Sequence, residues 1–127
     1  VIEVEKTQNG IKIHNVYVAA DVGIAIDPSN IEAQLISGIN FGLAAAMMGE
    51  ITVKDGKVEQ TNFHNFDSIR MHQAPAIHCK ILENGERIRG IGEPGTPPAA
   101  PALANAIYAA TGVRLREMPF KKQIQFV

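Results

Sequence analysis

The chain has 127 residues, enough for one domain with one hydrophobic core, and we treat residues 1–127 as a single domain. It is 46% hydrophobic and 20% charged, which is the composition of a folded globular protein. A net charge of −1 gives no support for binding to nucleic acid or to an anionic membrane. No apolar run approaches the ~18 residues that span a bilayer. The single cysteine, Cys79, excludes an internal disulfide and an all-cysteine iron–sulfur cluster held by this chain alone.

Two β-hairpins are predicted before residue 63. Residues 1–6 alternate apolar and polar side chains, Gln8-Asn9-Gly10 is a turn sequence, and residues 11–22 are rich in β-branched side chains. These features predict an N-terminal hairpin over residues 1–22. A second hairpin is expected over residues 50–62, turning at Asp55-Gly56.

A long helix is predicted between the two hairpins. Its apolar stripe runs from Ile31 to Met47, and Gly49 is expected to end it. Two N-caps compete. Either Asp27 caps the helix with Pro28 at the first helical position, or Ser29 caps it and Glu32 closes a capping box. The sequence does not choose between these two starts.

The second half of the chain predicts a loop, a strand and a second helix. Residues 61–73 are loop-like, and residues 76–83 should form a strand. Thr96 is expected to cap a helix that is apolar on nearly every side, and is therefore expected to be buried on nearly every side. Residues 113–127 end in a possible strand. The ββα-βββα order predicts an α+β fold of two layers, in which a mixed β-sheet with hairpins packs against two main helices.

The segment Gly90-Ile91-Gly92-Glu93-Pro94-Gly95 fits the dinucleotide-binding fingerprint G-x-G-x-x-G, and Glu117 follows at about the distance of a ribose-binding acid. However, residues 84–89 are not the buried apolar strand that this site requires, and about thirty residues after the segment are too few for a second βαβ unit. Pro94 also removes an N–H donor, and Glu93 would repel a pyrophosphate. The sequence therefore argues against a dinucleotide site.

Glu93 is the main candidate for a catalytic side chain. Gly92 and Pro94 restrict the backbone on both sides of it, and the N-terminus of the following helix would favour a carboxylate. Burial would favour the protonated acid. A positioned and partly desolvated glutamate is what a general base requires. The alternative is a structural role, in which Glu93 caps the helix or pairs with an arginine such as Arg89.

Residues 90–107, GIGEPGTPPAAPALANAI, closely resemble the C-terminal signature of the molybdenum hydroxylases, the family of xanthine dehydrogenase and aldehyde oxidase. The version in this chain looks most like the large, molybdopterin-binding subunit of the isoquinoline 1-oxidoreductase type. The resemblance continues beyond the signature and covers nearly the whole chain, through residues 21–50, 62–71, 109–112, 114–116 and 119–120. The Gly-Glu-Pro element with its Ala/Pro-rich helix is the most specific part.

This resemblance implies a role for two residues. The glutamate of Gly-Glu-Pro is the catalytic base in that family, so Glu93 would be the general base. Gln34, within residues 31–38, matches a glutamine that contacts the pterin cofactor in relatives; the alternative for Gln34 is a solvent-exposed side chain without a ligand. No residue of this chain is implied as a metal ligand.

The resemblance also implies the reaction, the cofactor and the partners. A molybdenum-dependent oxidoreductase of this type hydroxylates an electron-poor carbon of an aldehyde or an aromatic N-heterocycle, with oxygen derived from water. The cofactor is molybdopterin with molybdenum, in its simple or cytosine dinucleotide form, and it is bound jointly with domains that have no counterpart here. Iron–sulfur clusters are expected on a small partner subunit. We expect the chain to be a C-terminal domain fragment of the large subunit that is inactive alone.

Two other classes of protein remain open on the sequence. The chain has the features expected of a non-catalytic binding module that keeps the fold without the chemistry, or of an assembly subunit that completes another protein's pocket. Arginines at positions 87, 89, 114 and 116 have the chemistry to contact phosphate, although solvated surface is the favoured interpretation. His78 and Cys79 are expected on opposite faces of a strand, which excludes a shared small metal ion. The aromatic residues around His64 are expected to hold a loop to the core.

Overall fold

Two layers, a mixed β-sheet and a pair of helices, form the α+β fold, as predicted. The computed structural model describes all 127 residues. The elements follow the expected order: β1 (Ile2–Lys6), β2 (Ile11–Asp21), α1 (Pro28–Met47), β3 (Val53–Lys54), β4 (Lys57–Val58), β5 (Ala76–Leu82) and α2 (Ala99–Thr111), with a 3₁₀ turn over Phe120–Lys122. Neither helix has the length and apolarity that crossing a membrane requires.

The main sheet has three strands in the order β1-β2-β5. β1 and β2 are the antiparallel arms of the predicted hairpin, whereas β5 pairs parallel to β2, from Asn15 opposite Ala76 to Asp21 opposite Leu82. A parallel pair needs a long crossover, which α1 and the segment after it provide. The prediction of a mixed sheet is therefore confirmed. β3 and β4 form a separate, exposed two-stranded ribbon that turns at Asp55-Gly56, so this second hairpin is not packed against the helices.

One face of the sheet and the inner faces of both helices enclose the core. The main cluster contains fifteen buried side chains, among them Ile11, Leu43, Met47, Leu103 and Ile107. A second cluster near the start of α1 contains Val22, Ile31 and Leu35. The expectation that α2 is buried on nearly every side is wrong, because only Ala99, Leu103 and Ile107 of this helix are buried. Its other faces are mostly alanine, whose small apolar area costs little to leave exposed.

The two helix starts differ from each other. The Asn30 N–H donates to Asp27 Oδ1 at 3.1 Å, and Pro28 occupies the first helical position, so the Asp27 start is the correct alternative for α1. Thr96 does not cap α2, whose N-cap residue is Pro98 and has no side-chain hydrogen bond. The Thr96 hydroxyl instead donates to the Gly38 carbonyl of α1 at 3.0 Å.

One further expectation is wrong, and another is met only in part. Phe63 is 89% exposed, so it does not hold its loop to the core; the loop is shaped instead by Asn65 Oδ1, which accepts the Thr61 and Asn62 N–H groups. The C-terminal strand is reduced to one parallel bridge between Ile11 and Phe126, in which the Val127 N–H donates to Ile11. The aromatic content of a loop does not predict whether that loop packs on the core. The alternation of apolar and polar residues in a tail likewise does not predict how much of the tail pairs with the sheet.

Two glycines bring α1 against the start of α2. A Cβ atom added to Gly42 would lie 2.5 Å from the Thr96 carbonyl oxygen and 2.7 Å from the Ala99 Cβ, and one added to Gly38 would lie 3.3 Å from the Thr96 hydroxyl. Only a residue without a side chain permits this approach. Gly38 and Gly42 therefore set the distance between α1 and the segment that leads into α2.

The end of β2 is joined to the segment that follows β5. Asp21 Oδ1 accepts the Gly23 N–H at 2.9 Å and the Asn84 N–H at 3.2 Å. These backbone hydrogen bonds, chiefly the one from Gly23, lower the pKa of Asp21, and the charge of Arg89 adds to the effect. The carboxylate thus stabilises a junction between two parts of the chain that are remote in sequence.

Replacing Gly42 with alanine should destabilise the chain. Overpacking costs about 1–3 kcal/mol, which outweighs the roughly 1 kcal/mol that alanine gains over glycine in a helix. Urea unfolding midpoints would measure the change. Ser37→Ala, at an exposed position of the same helix, is the matched control and should be neutral or slightly stabilising. A Gly42→Ala chain as stable as this control would show that α1 does not approach residues 96–99 closely.

Replacing Asp21 with asparagine should lower stability in a pH-dependent way. The folded-state pKa of Asp21 lies below the ordinary value of 3.8, so its contribution is fully present above pH ~4 and is lost as pH falls through the folded pKa. The melting-temperature difference between wild type and Asp21→Asn should therefore be constant near neutral pH and shrink below pH ~4. A difference that is the same at pH 3 and pH 7 would contradict this origin.

Candidate functional site

The loop of residues 90–96 lies between β5 and α2, and the chain is held on both sides of Glu93. Upstream, the Arg89 N–H donates to the Val22 carbonyl at 3.0 Å. Ile91 then packs against the small cluster of buried side chains that includes Ile31 and Leu35 at the start of α1. The position of the loop is therefore set by apolar contact with α1 before the chain reaches Glu93.

Downstream of Glu93, the loop lies directly on α1. A Cβ atom added to Gly95 would lie 3.0 Å from the Leu35 carbonyl oxygen and 3.2 Å from the Ile39 nitrogen, so Gly95 is in backbone contact with this helical turn. The Thr96 hydroxyl satisfies the Gly38 carbonyl of the same turn. A side chain at residue 95 would crowd the backbone of α1, so glycine favours this close contact.

Glu93 is exposed and its carboxylate has no hydrogen bond or ion pair with another side chain. Its backbone carbonyl accepts the Thr96 N–H at 2.9 Å, which closes the turn. Neither structural alternative is realised, because Glu93 does not cap α2 and does not pair with Arg89. The expected partial desolvation is also absent in this chain. The carboxylate is thus positioned by its backbone and is free to contact a molecule outside the domain.

Gln34 lies on α1, immediately before the turn that Gly95 contacts. Its side chain is exposed and makes no hydrogen bond within the chain. The fold therefore brings the helical segment with Gln34 and the loop with Glu93 to the same part of the molecule, although 59 positions separate them in the sequence. Gly38, one turn further along α1, is buried, whereas Gln34 is exposed.

The loop itself leaves room for a ligand. A Cβ atom added to Gly90 or to Gly92 would meet no other atom within 4 Å, so both glycines border open space. Open glycines allow a ligand to approach the backbone closely. A free carboxylate and a free amide lie in the same part of the molecule, so polar groups are available to a ligand that approaches this loop.

A dinucleotide site is excluded by the local structure. β5 ends at Leu82, eight residues before Gly90, and α2 begins at Ala99, four residues after Gly95. The G-x-G-x-x-G segment therefore does not connect a buried strand directly to a helix, which is the geometry that places a pyrophosphate at a helix N-terminus.

The structure contains no group of three His, Cys, Asp or Glu side chains arranged to hold a metal ion. His78 is exposed, and its Nε2 atom lies 3.0 Å from Asn15 Oδ1. Cys79 packs against the small cluster on the opposite face of β5. The predicted separation of these two side chains is confirmed. Desolvation, followed by the charge of Glu32, raises the pKa of the Cys79 thiol, which makes it a poorer nucleophile and metal ligand.

The residues that position the site have weaker sequence signals than the candidate functional residues. Gly38 and Gly42, four positions apart on α1, are a recognisable signal for close backbone packing, but the sequence does not name their partner. Thr96 has the composition of a helix cap, and its bond to Gly38 is a long-range contact without a local signature. Ile91 has no feature in the sequence that distinguishes it from other loop residues, and its role follows only from its contact with the small cluster.

Known proteins match this chain both over its N-terminal part and over nearly its whole length. Residues 1–75 match the family model of the molybdopterin cofactor-binding domain. The chain is 32% identical over 120 residues to the isoquinoline 1-oxidoreductase subunit beta of Brevundimonas diminuta. The aligned residues make up 94% of the chain and 15% of the relative. It is 28% identical over 120 residues to a membrane-bound aldehyde dehydrogenase of Gluconacetobacter polyoxogenes, named for pyrroloquinoline quinone, again over 94% of the chain and 16% of the relative.

A solved structure supports the same assignment. The carbon monoxide reduced state of the Cu,Mo-CO dehydrogenase superposes with a TM-score of 0.67 at 25% identity, over 80% of the chain and 14% of that structure. The chain thus spans about one seventh of the length of the proteins that it matches. By its match to the family model and its identity to the Brevundimonas subunit, the chain belongs to the molybdopterin cofactor-binding domain family of the molybdenum hydroxylases.

Proposed function

We propose that the chain is part of a molybdenum-dependent oxidoreductase that hydroxylates an electron-poor carbon of an aldehyde or N-heterocycle with oxygen from water, and that Glu93 is its general base. The observation that carries this proposal is the fixed backbone on both sides of an unpaired Glu93 carboxylate, beside the helical turn that follows Gln34. A carboxylate that no side chain of the domain engages is available for the reacting groups.

Glu93 performs proton transfer in this proposal. Its carboxylate accepts the proton of the water-derived oxygen nucleophile, and the contacts of Ile91 and Gly95 hold the backbone around Glu93 against α1. The molybdenum cofactor, when bound, supplies the oxidising equivalents that a hydroxylation with water requires. Because Glu93 is exposed in this chain, the groups that exclude water from it during the reaction have to come from the cofactor, the substrate or other parts of the protein.

Gln34 contacts the pterin in this proposal. An exposed amide on α1 offers both a donor and an acceptor, which suits the mixed hydrogen-bonding edges of a pterin. Its nearness to the Glu93 loop through the Leu35–Ile39 turn is what supports this role. The cofactor is shared with domains outside these residues, and whether it is the simple or the cytosine dinucleotide form depends on contacts that those domains make.

Electron transfer requires a partner in this proposal. Cys79 is the single cysteine, so clusters with several cysteine ligands reside elsewhere, on a small iron–sulfur subunit. The name of the Brevundimonas relative designates it as one subunit of an enzyme. The isolated chain, which lacks these partners, should not hydroxylate aldehydes or N-heterocycles, and activity of the isolated chain would overturn this part of the proposal.

Glu93→Gln in the longer protein should lower kcat by about 10²–10⁴-fold, because the amide cannot accept the proton. The substitution keeps the size of the side chain, so metal content and melting temperature should not change. Steady-state rates with an aldehyde and with an N-heterocycle would measure the effect. Glu86→Gln, in an exposed position of the preceding loop, is the matched control and should retain activity. Full activity of Glu93→Gln, with normal molybdenum content, would contradict the catalytic role of Glu93 and support the alternative of a non-catalytic binding module.

Gln34→Ala should lower the molybdenum content of the purified protein without unfolding it. The side chain is exposed, and alanine favours the helix, so the melting temperature should be equal or slightly higher. Elemental analysis for molybdenum, with Gln8→Ala in the exposed β1–β2 turn as control, would test this role. Unchanged molybdenum content would leave Gln34 as a surface residue. Absence of molybdenum from the wild-type protein, with pyrroloquinoline quinone in its place, would overturn the proposed function.

A further inference from the structure

Two arginines lie together in a groove between α2 and the segment that follows it. Leu115 is 3% exposed and enters the core, whereas its neighbours Arg114 and Arg116 are exposed on the other side of the segment. Both arginines line a cavity of about 300 Å³ together with Asn105 of α2. The rest of the lining is mostly apolar: Ala100, Pro101, Ala104, Leu115, Met118 and Phe120.

Neither arginine of this groove takes part in an ion pair. The protein has three ion pairs, Glu5 with His14, Asp67 with Lys121 and Glu50 with Lys122, and none of them contains an arginine. Glu117, the acid adjacent in sequence, contributes instead to raising the pKa of Lys122, after the larger effect of Glu50. Because the net charge of the chain is −1, the paired guanidinium groups are a local feature and do not reflect a generally basic protein.

Arg114 is held in place before any ligand arrives. Its guanidinium carbon lies 3.4 Å from the centroid of the Tyr108 ring, a cation–π contact. A guanidinium stacked on a ring keeps its N–H donors free at its edge, where they can meet a carboxylate or phosphate. Restricting the side chain in advance reduces the entropy lost when an anion binds.

We propose that this groove binds a small organic anion in which a phosphate or carboxylate is joined to an apolar group. Arg114 and Arg116 contact the oxyanion with Asn105 as a further donor, and the apolar group lies on Pro101 and its neighbours. The volume is at the lower end of the range of about 300–1,000 Å³ that is typical of small-molecule pockets. The groove contains neither Gln34 nor any residue of the loop 90–96, so this site is separate from the proposed function and does not depend on it.

Phenyl phosphate, inorganic phosphate and phenol are the probes that separate the two halves of the site. Isothermal titration of the protein that carries this chain should give saturable binding of phenyl phosphate, weaker binding of inorganic phosphate and no binding of phenol. Arg116→Gln should weaken phenyl phosphate about tenfold or more, since a charge-assisted hydrogen bond is lost. Arg116 has no partner in the fold, so this variant should have the wild-type melting temperature.

The matched control is Arg70→Gln, which removes the same charge from an exposed arginine outside the groove and should leave the affinity unchanged. Equal weakening by Arg70→Gln and Arg116→Gln would show non-specific charge attraction and overturn the proposal. Absence of saturable phenyl phosphate binding up to about 10 mM would also overturn it, because a functional site is expected to have a dissociation constant well below that concentration. Equal affinity for phenyl and inorganic phosphate would exclude the apolar half of the ligand.

Discussion

The close approach of α1 to residues 95–99 is the constraint on which the candidate site depends. Gly38 and Gly42 have no side chains to separate the helix from the segment that leads into α2, and Gly95 has none to separate that segment from the helix. The contact is therefore made by backbone atoms, with Thr96 supplying one hydrogen bond. Backbone contacts of this kind leave little freedom of position, so the backbone two positions away, at Glu93, is held close to α1 without any side-chain partner.

The sheet supplies the other half of the support. β5 runs parallel to the middle strand, so the chain leaves the sheet at Leu82 beside the point where β2 ends, and Asp21 binds the backbone of both departing segments. The same edge of the sheet thus leads to α1 on one side and to the Glu93 loop on the other. Helix and loop meet because their strands are neighbours, which accounts for the nearness of residues that are remote in sequence.

Sequence patterns predicted the elements well where the signal is periodic or local. The N-terminal hairpin, the long helix and the strand that contains His78 and Cys79 all have such signals, and the mixed sheet follows from their order. The errors concern contacts between distant segments. Thr96 bonds to α1 and not to its own helix, and Phe63 points to solvent. Neither outcome depends on the neighbouring residues in the sequence, so no local rule predicts it.

The candidate site shows the same limit. The roles of Glu93 and Gln34 follow from the resemblance to a family, whereas the residues around Glu93 alone favour a structural role at the start of a helix. The supporting residues carry no such signature, since Ile91 and Gly95 matter only through the helical turn that they contact. The partial desolvation that a general base requires is absent here, since Glu93 is exposed in this chain.

The parallel pairing of β2 with β5 has a consequence for how the chain acquires its structure. The paired residues are about 60 positions apart. The middle strand, β2, therefore lacks its second neighbour until α1, the exposed ribbon, the following loop and β5 have all been synthesised. During that interval the N-terminal hairpin presents the unpaired edge of β2, which is long and rich in β-branched residues. An open edge of this kind can pair with another chain, so the nascent protein is exposed to aggregation until β5 pairs with β2.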